Sequence, residues 1–245
     1  MKENFFSMVE QYPLESKQNF EERINSYIWN SIPEYGELWT AGGLKNKVEW
    51  DGTLKSFYGN TIVFPLSSQA ISYVEEIQLK LNRSCGHFLA ESLDKDTFHI
   101  TLHDLVNGVD LARIEKSMRV KGFVARSILE QVKKLNLPAI RMESTCVFNM
   151  ASTSVVLGMK PVDEESCRVL MMLYELFQVV VPLGYALTPH ITLAYYKPGI
   201  YTAEMLAPLR ELIADYNKKE KLVVELDGKE LVYQEFYSMN HYVTI

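Results

Sequence analysis

The sequence predicts an α+β fold with largely antiparallel sheet, and three observations carry that expectation. Runs rich in β-branched and aromatic residues are interspersed with amphipathic helical runs along the chain. Some neighbouring β-rich runs are joined by short turns and others by helices, which does not fit the strict alternation of a doubly wound parallel sheet. No Pro- or Ser-rich linker divides the 245 residues, so they are read as one body of two lobes.

The elements follow in order. Ser16 is positioned to cap a helix running to about Trp29, with Phe20, Ile24, Tyr27 and Ile28 on one face. Pro33 and Gly42–Gly43 interrupt the chain, and residues 47–55 read as a hairpin turned at Asp51-Gly52. Trp29, Trp39 and Trp50 all lie here and are expected to pin residues 1–55, as an N-terminal extension, onto a main domain of residues 56–245; the alternative is a lid that stacks a base. Thr61–Ser67 is a strand whose Pro65 marks an edge or bulge at its far end. Residues 68–81 form an amphipathic helix through Ile71, Val74, Ile77 and Leu81, and Thr97–Leu105 is the next strand. A helix spans about Asp110 to Leu135, with Gly122 as a weak point. Ile140–Phe148 and Thr153–Met159 are strands joined by a turn over 149–152. Asp163 opens a helix to Phe177, Pro189–Tyr196 is a strand, a helix lies near 203–216, and a last hairpin is turned at Asp227-Gly228.

Composition narrows the function. With 25 basic and 31 acidic residues the net charge is −6, without the basic excess that non-specific duplex binding needs. No apolar run approaches the roughly 18 residues of a membrane span, and the first residues lack the apolar stretch of a signal peptide. Cys85, Cys146 and Cys167 are odd in number and show no CxxC spacing, which fits a cytoplasmic protein without disulfides, with Cys167 as an inert core thiol.

One feature stands above this background. His99-Ile100-Thr101-Leu102 recurs identically as His190-Ile191-Thr192-Leu193, each time after a strand and a helix, which is the mark of an internal duplication. On a strand, alternate side chains share a face, so each copy presents an imidazole and a hydroxyl together with apolar anchors behind. Two imidazoles converging on one cleft can act as general base and general acid near neutral pH, and threonine hydroxyls can hold phosphate oxygens. By the same alternation His103 shares the face of His99 and is expected at the rim of the cleft, touching substrate. Tyr196, in line with Thr192, is expected to bind a base or phosphate, whereas Tyr195 points to the core. A metal held by His99, His103 and Asp104 is disfavoured, since four strand residues span about 13 Å, too far for two ligands each about 2 Å from one ion. No Gly-rich phosphate loop or nucleophile elbow occurs, and no cofactor is called for. His87 and His241 belong to no such pattern.

On its paired HITL tetrapeptides and element order, the chain from about residue 56 resembles the 2H phosphoesterase superfamily, also called LigT-like or cyclic phosphodiesterase-like. The resemblance implies a duplicated bilobal fold, two mostly antiparallel sheets flanked by helices around a central cleft. It implies that His99 and His190 are catalytic and that Thr101 and Thr192 hold phosphate. It implies metal-independent action on 2′,3′-cyclic phosphates, related phosphodiesters or RNA ends. The stretch from Asp51-Gly52 to Gly59-Asn60-Thr61 is further similar to an uncharacterised bacterial and fungal branch that carries an N-terminal extension. The expected partner is thus a small nucleotide or RNA end, with no membrane and no duplex, bound by a monomer. A non-catalytic module gripping phosphate or an RNA end, and an RNA end-processing ligase, are the alternatives.

Overall fold

The computed structural model describes residues 14–28 and 32–245. Among the described residues five helices and antiparallel sheets make an α+β fold. The first described helix, α1 (Lys17–Ile28), starts where Ser16 Oγ accepts the Asn19 N–H at 3.2 Å and buries Phe20 and Ile24. Trp29 and the side chains of Tyr27 and Ile28 lie outside the described residues. A short strand β1 (Glu37–Trp39) and a 3-10 turn over Gly42–Asn46 follow.

Two units then share one plan. In the first, β2 (Tyr58–Pro65) leads through α2 (Ser68–Cys85) to β3 (His99–Gly108), and β3 returns antiparallel to β2. After α3 (Leu111–Val132) and β4 (Ile140–Met150), the second unit runs β5 (Ser154–Pro161), α4 (Glu164–Gln178) and β6 (His190–Tyr195), with β6 antiparallel to β5. The helices start as their caps dictate. Ser67 Oγ accepts the Ala70 N–H, and Asp163 accepts the Ser166 N–H at 2.8 Å with Glu164 and Glu165 favourably placed in the first turn. The chain closes with β7 (Ile200–Thr202), α5 (Ala207–Tyr216), β8 (Val223–Leu226), β9 (Val232–Ser238) and β10 (His241–Thr244).

These strands form two four-stranded sheets, β10-β9-β2-β3 and β6-β5-β4-β8, and a small pair β1-β7. The two HITL strands, β3 and β6, are therefore the edges of their sheets, and they pack against one another. The helices cross over between the units: α2 packs on β6, and α4 packs on β3 as well as on β4 and β5. Each HITL strand is thus supported by a helix of the other unit, which holds the two edges together.

Several expectations are corrected. The last two strands are no hairpin, because β8 pairs with β4 whereas β9 pairs with β2. Gly228 does not adopt the positive φ of a tight hairpin turn; instead Asp227 accepts the Lys229 N–H and opens a 3-10 turn that carries the chain from one sheet to the other. Gly122 does not weaken α3, which runs through it: a β-carbon there would collide with the Tyr233 hydroxyl, so glycine permits a close approach. Trp39 and Trp50 are exposed, and the segment before residue 56 is held instead by Phe20, Ile24, Leu38, Leu44 and Val48 in one continuous core with the sheets. The turn at Asp51-Gly52 does form, with Gly52 at φ +100° and a single bridge between Val48 and Leu54. Pro65 lies in a central strand, but beyond Val63, the last residue of β2 paired with β9. Among the described residues no helix is long and apolar enough to cross a membrane.

Candidate functional site

A cavity of about 830 Å³ opens between β3 and β6, within the range usual for small-molecule sites. His99, Thr101, His190 and Thr192 all line it, so both copies of the tetrapeptide face one space. The imidazoles are held alike. His99 Nδ1 lies 2.7 Å from the Thr97 carbonyl, and His190 Nδ1 lies 2.7 Å from the Thr188 carbonyl, two residues before each ring. A carbonyl can only accept, so Nδ1 carries the proton of the neutral ring and Nε2 keeps its lone pair. Neither threonine hydroxyl is engaged by another described residue, which leaves both free for a ligand.

The duplication extends to an irregularity that the sequence does not announce. In the first unit Val63 pairs with Thr101 but Ile62 pairs with His103, leaving Leu102 as an extra residue. In the second unit Val156 pairs with Thr192 but Val155 pairs with Ala194, leaving Leu193 extra. Both are β-bulges at the leucine of HITL, and an extra residue reverses the alternation beyond it. Asp104 and Tyr195, the equivalent positions after each bulge, therefore line the cavity.

His103 and Tyr196 are turned away by the same reversal, against expectation. His103 is buried, with its ring 5.3 Å from that of Tyr174 and its Nδ1 on the Asp104 carbonyl. Tyr196 is fully buried against Phe88 and Tyr201. Neither side chain lines the cavity.

The first bulge region is braced by buried side chains of β2. The Asn60 Oδ1 accepts the Val106 N–H at 3.0 Å, and the Thr61 hydroxyl donates to the His103 carbonyl at 3.1 Å. A second register shift between Asn60 and Thr61 makes Leu105 a further extra residue, so Asp104 sits between two bulges. The second unit's bulge is braced from α2, where the buried Gln78 amide donates to the Leu193 carbonyl at 3.1 Å. Gly59 is required here because a β-carbon would collide with the Phe236 ring and the Val106 carbonyl.

Burial pulls His99 down to about 4, and the neighbouring His190 adds to this, while its bond to Thr97 and the Asp104 carboxylate partly oppose it. His190 is lowered by burial as well, opposed by its bond to Thr188 and by Asp104, with the Lys47 charge lowering it further. Burial thus favours two neutral imidazoles. Its other charged lining residues are Lys47, Glu37 and Asp104, and Asp104 accepts a 3.1 Å hydrogen bond from the Tyr185 hydroxyl. The loop before His190 is propped by α1, since Arg23 donates to the Leu187 carbonyl at 2.8 Å and is ion-paired with Glu15. The turn joining β4 and β5 also reaches the cavity, with Ala151 and Ser152 both at positive φ as a tight hairpin turn requires.

Sequence reasoning missed Lys47 and Tyr185, weighed Asp104 only as a metal ligand, and turned Tyr195 to the core. The two post-bulge residues share one signal, the repeat itself, which places them at equal distances after their histidines. The three cysteines are free, and burial raises Cys85 and Cys167 to about 11. Among the described residues no group of three or more His, Cys, Asp or Glu side chains is arranged to hold a metal ion.

A conserved protein of unknown function from Agrobacterium tumefaciens str. C58, ATU0111, superposes with a TM-score of 0.64 at 18% identity, covering 84% of this chain and 92% of that one. The two share a fold. Escherichia coli LigT complexed with 3′-AMP superposes with a TM-score of 0.46 at 12% identity, over 77% of this chain and 95% of that one. TT0787 of Thermus thermophilus gives 0.44 at 15% identity, over 76% and 94%. No protein-family model matches the chain, and a search of curated proteins finds no match.

Proposed function

We propose that this protein is a metal-independent phosphodiesterase that opens a cyclic phosphodiester, on a nucleotide or an RNA end, by two-histidine acid–base catalysis. The observation that carries the reading is the matched geometry of His99 and His190: two equivalent edge strands, with each Nδ1 bonded to the carbonyl two residues before it and each imidazole lining one cavity.

One imidazole takes a proton from water at Nε2 as the water oxygen attacks phosphorus. The other, charged, gives its proton to the ribose oxygen as the P–O bond to it breaks, leaving a phosphomonoester. Thr101 and Thr192 donate hydrogen bonds to the non-bridging oxygens. An anionic phosphate entering the cleft favours the charged imidazole, which restores the proton that burial otherwise removes. His99 and His103 do not converge on a shared ligand position, because the bulge at Leu102 turns them to opposite sides of β3.

The test is turnover of 2′,3′-cyclic nucleotides and cyclic-phosphate RNA ends in the presence of EDTA by wild type, His99→Ala and His190→Ala. Each variant is expected to lose about 10²- to 10⁴-fold in kcat. Full activity in either variant would overturn the two-histidine reading. Binding without turnover in wild type would instead favour a phosphate-gripping module.

A further inference from the structure

Lys47 enters the cavity from outside the two strand–helix–strand units. Its N–H donates to the Leu44 carbonyl at 2.9 Å, and its carbonyl accepts the Lys55 N–H at 2.8 Å. Leu44 and Val48 on either side are buried, so the backbone that carries the ammonium is fixed before any ligand arrives. The turn at Gly52 ties this segment to a loop of the first unit, which in turn reaches the second. The Gly52 carbonyl accepts the Glu91 N–H at 2.9 Å, and the Ala90 N–H donates to the Tyr195 carbonyl at 2.9 Å.

The ammonium lies 5.1 Å from the centre of the Phe57 ring and 5.6 Å from that of Tyr195, in cation–π contact with both. It is ion-paired with no carboxylate among the described residues, and no other lysine or arginine among them lines the cavity. Two neutral imidazoles whose Nδ1 protons are spent on backbone carbonyls have no donor left for an anion, and the two hydroxyls offer it hydrogen bonds but no net charge. Asp104 and Glu37 on the same walls repel one. Among the described lining residues Lys47 is therefore the one cation an entering phosphate meets before either imidazole takes up a proton.

We infer that Lys47 contacts a non-bridging oxygen of the bound phosphate and carries the cleft's preference for an anionic phosphodiester over a neutral ligand of the same shape. The inference takes from the reading above only that a phosphate enters the cleft. It also gives the segment before residue 56 a task in the site, since that segment delivers the cation. Lysine suits the task as a compact point charge on a flexible stem.

The test compares wild type, Lys47→Met, Lys47→Arg and a control, Lys45→Met. Lys45 follows Leu44 on the same turn, with its ammonium over the exposed Trp50 ring, so the control makes the same change of net charge outside the cavity. Two quantities are read: kcat/KM for adenosine 2′,3′-cyclic phosphate, and the calorimetric affinity ratio of adenosine 3′-monophosphate to adenosine. The ratio is internal to each variant and so does not depend on its stability.

Lys47→Met is expected to lower both about 10- to 100-fold, the worth of one charge-assisted hydrogen bond, with Lys47→Arg in between and Lys45→Met unchanged. An unchanged ratio and unchanged kcat/KM in Lys47→Met would overturn the inference and leave the two-histidine reading standing. A Lys47-dependent affinity ratio in a wild type without turnover would uphold the inference and sink the hydrolase reading. Equal affinity of wild type for the monophosphate and adenosine would overturn the inference.

Discussion

Replacing Asn60 by Ala tests whether the geometry of the first bulge region depends on one buried amide. Asn60 is 1% exposed and makes three hydrogen bonds: it donates to the Met118 carbonyl at 3.0 Å and to the Tyr233 hydroxyl at 2.9 Å, and accepts from the Val106 N–H at 3.0 Å. The partners are not equal. Tyr233 still donates to Glu235 at 2.8 Å, and Met118 is in a helix, so these two losses cost about 0.5–1.5 kcal/mol each. Val106 loses the side-chain acceptor of an N–H next to a bulge, which costs about 1–3 kcal/mol if nothing replaces it. The sum centres on about 4 kcal/mol, a large share of the roughly 5–15 kcal/mol typical of a folded domain. At about 2–4 °C per kcal/mol for a chain of this size, Tm falls by roughly 8–16 °C. Urea denaturation of wild type and Asn60→Ala, with unchanged m, measures this directly. Because Asp104 lies between the two bulges that Asn60 and Thr61 brace, kcat/KM for a cyclic phosphodiester should fall as well, at temperatures where the variant is fully folded. A stability loss below about 1 kcal/mol would refute the bracing role and leave the register shifts to be explained by packing alone.

Two further outcomes follow from burial. The Tyr196 hydroxyl is buried and makes no hydrogen bond with a described residue, so Tyr196→Phe should leave turnover unchanged and hold or raise Tm; a tenfold loss of kcat would place this ring in the cleft after all. His99 is lowered to about 4 against about 6.5 in an unfolded chain, and His190 and His103 are lowered too. Between those values the unfolded chain binds more protons, so the associated stability is present above about pH 6.5 and is lost as pH falls toward 4. Urea midpoints at pH 7.5 and 5.0 should therefore drop more for wild type than for His99→Asn, and equal drops would deny His99 its share.

Much of the backbone was legible in the sequence because local chemistry decides it. Ser16, Ser67 and Asp163 each satisfy the N–H three residues on, and the helices begin there. The repeated HITL pointed to two related strands, and both do line one cavity. What failed is non-local. Val223–Leu226 and Val232–Ser238 read correctly as strands, but alternation says which face is buried and not which strand is the partner. The bulges at Leu102 and Leu193 depend on pairing with Val63 and Val156, so no residue at those positions signals them. Alternation carried past each bulge therefore put His103 and Tyr196 in the cleft, where Asp104 and Tyr195 stand instead. The tryptophans misled for another reason. Large aromatic rings are usually buried, but Trp50 sits beneath the Lys45 ammonium at 5.0 Å on an exposed turn, while smaller neighbours such as Leu44 and Val48 fill the core.

The two bulges also bear on how symmetric chemistry acquires a direction. Up to the bulge the two units match in the tetrapeptide and in the bond from each Nδ1 to the carbonyl two residues back, so these contacts alone do not distinguish acid from base. The first lining residue beyond each bulge differs. Asp104 carries a carboxylate held by the Tyr185 hydroxyl, whereas Tyr195 carries a ring beneath the Lys47 ammonium. The Asp104 carboxylate favours the charged form of either imidazole, while the Lys47 charge acts against that form at His190. A phosphate drawn to Lys47 would leave Asp104 for the neutral, hydrogen-bond-donating part of a ligand, such as a hydroxyl or an amino group. If His99 and His190 are the acid–base pair proposed above, the difference between positions 104 and 195, together with the Lys47 cation, would set which way round the substrate lies.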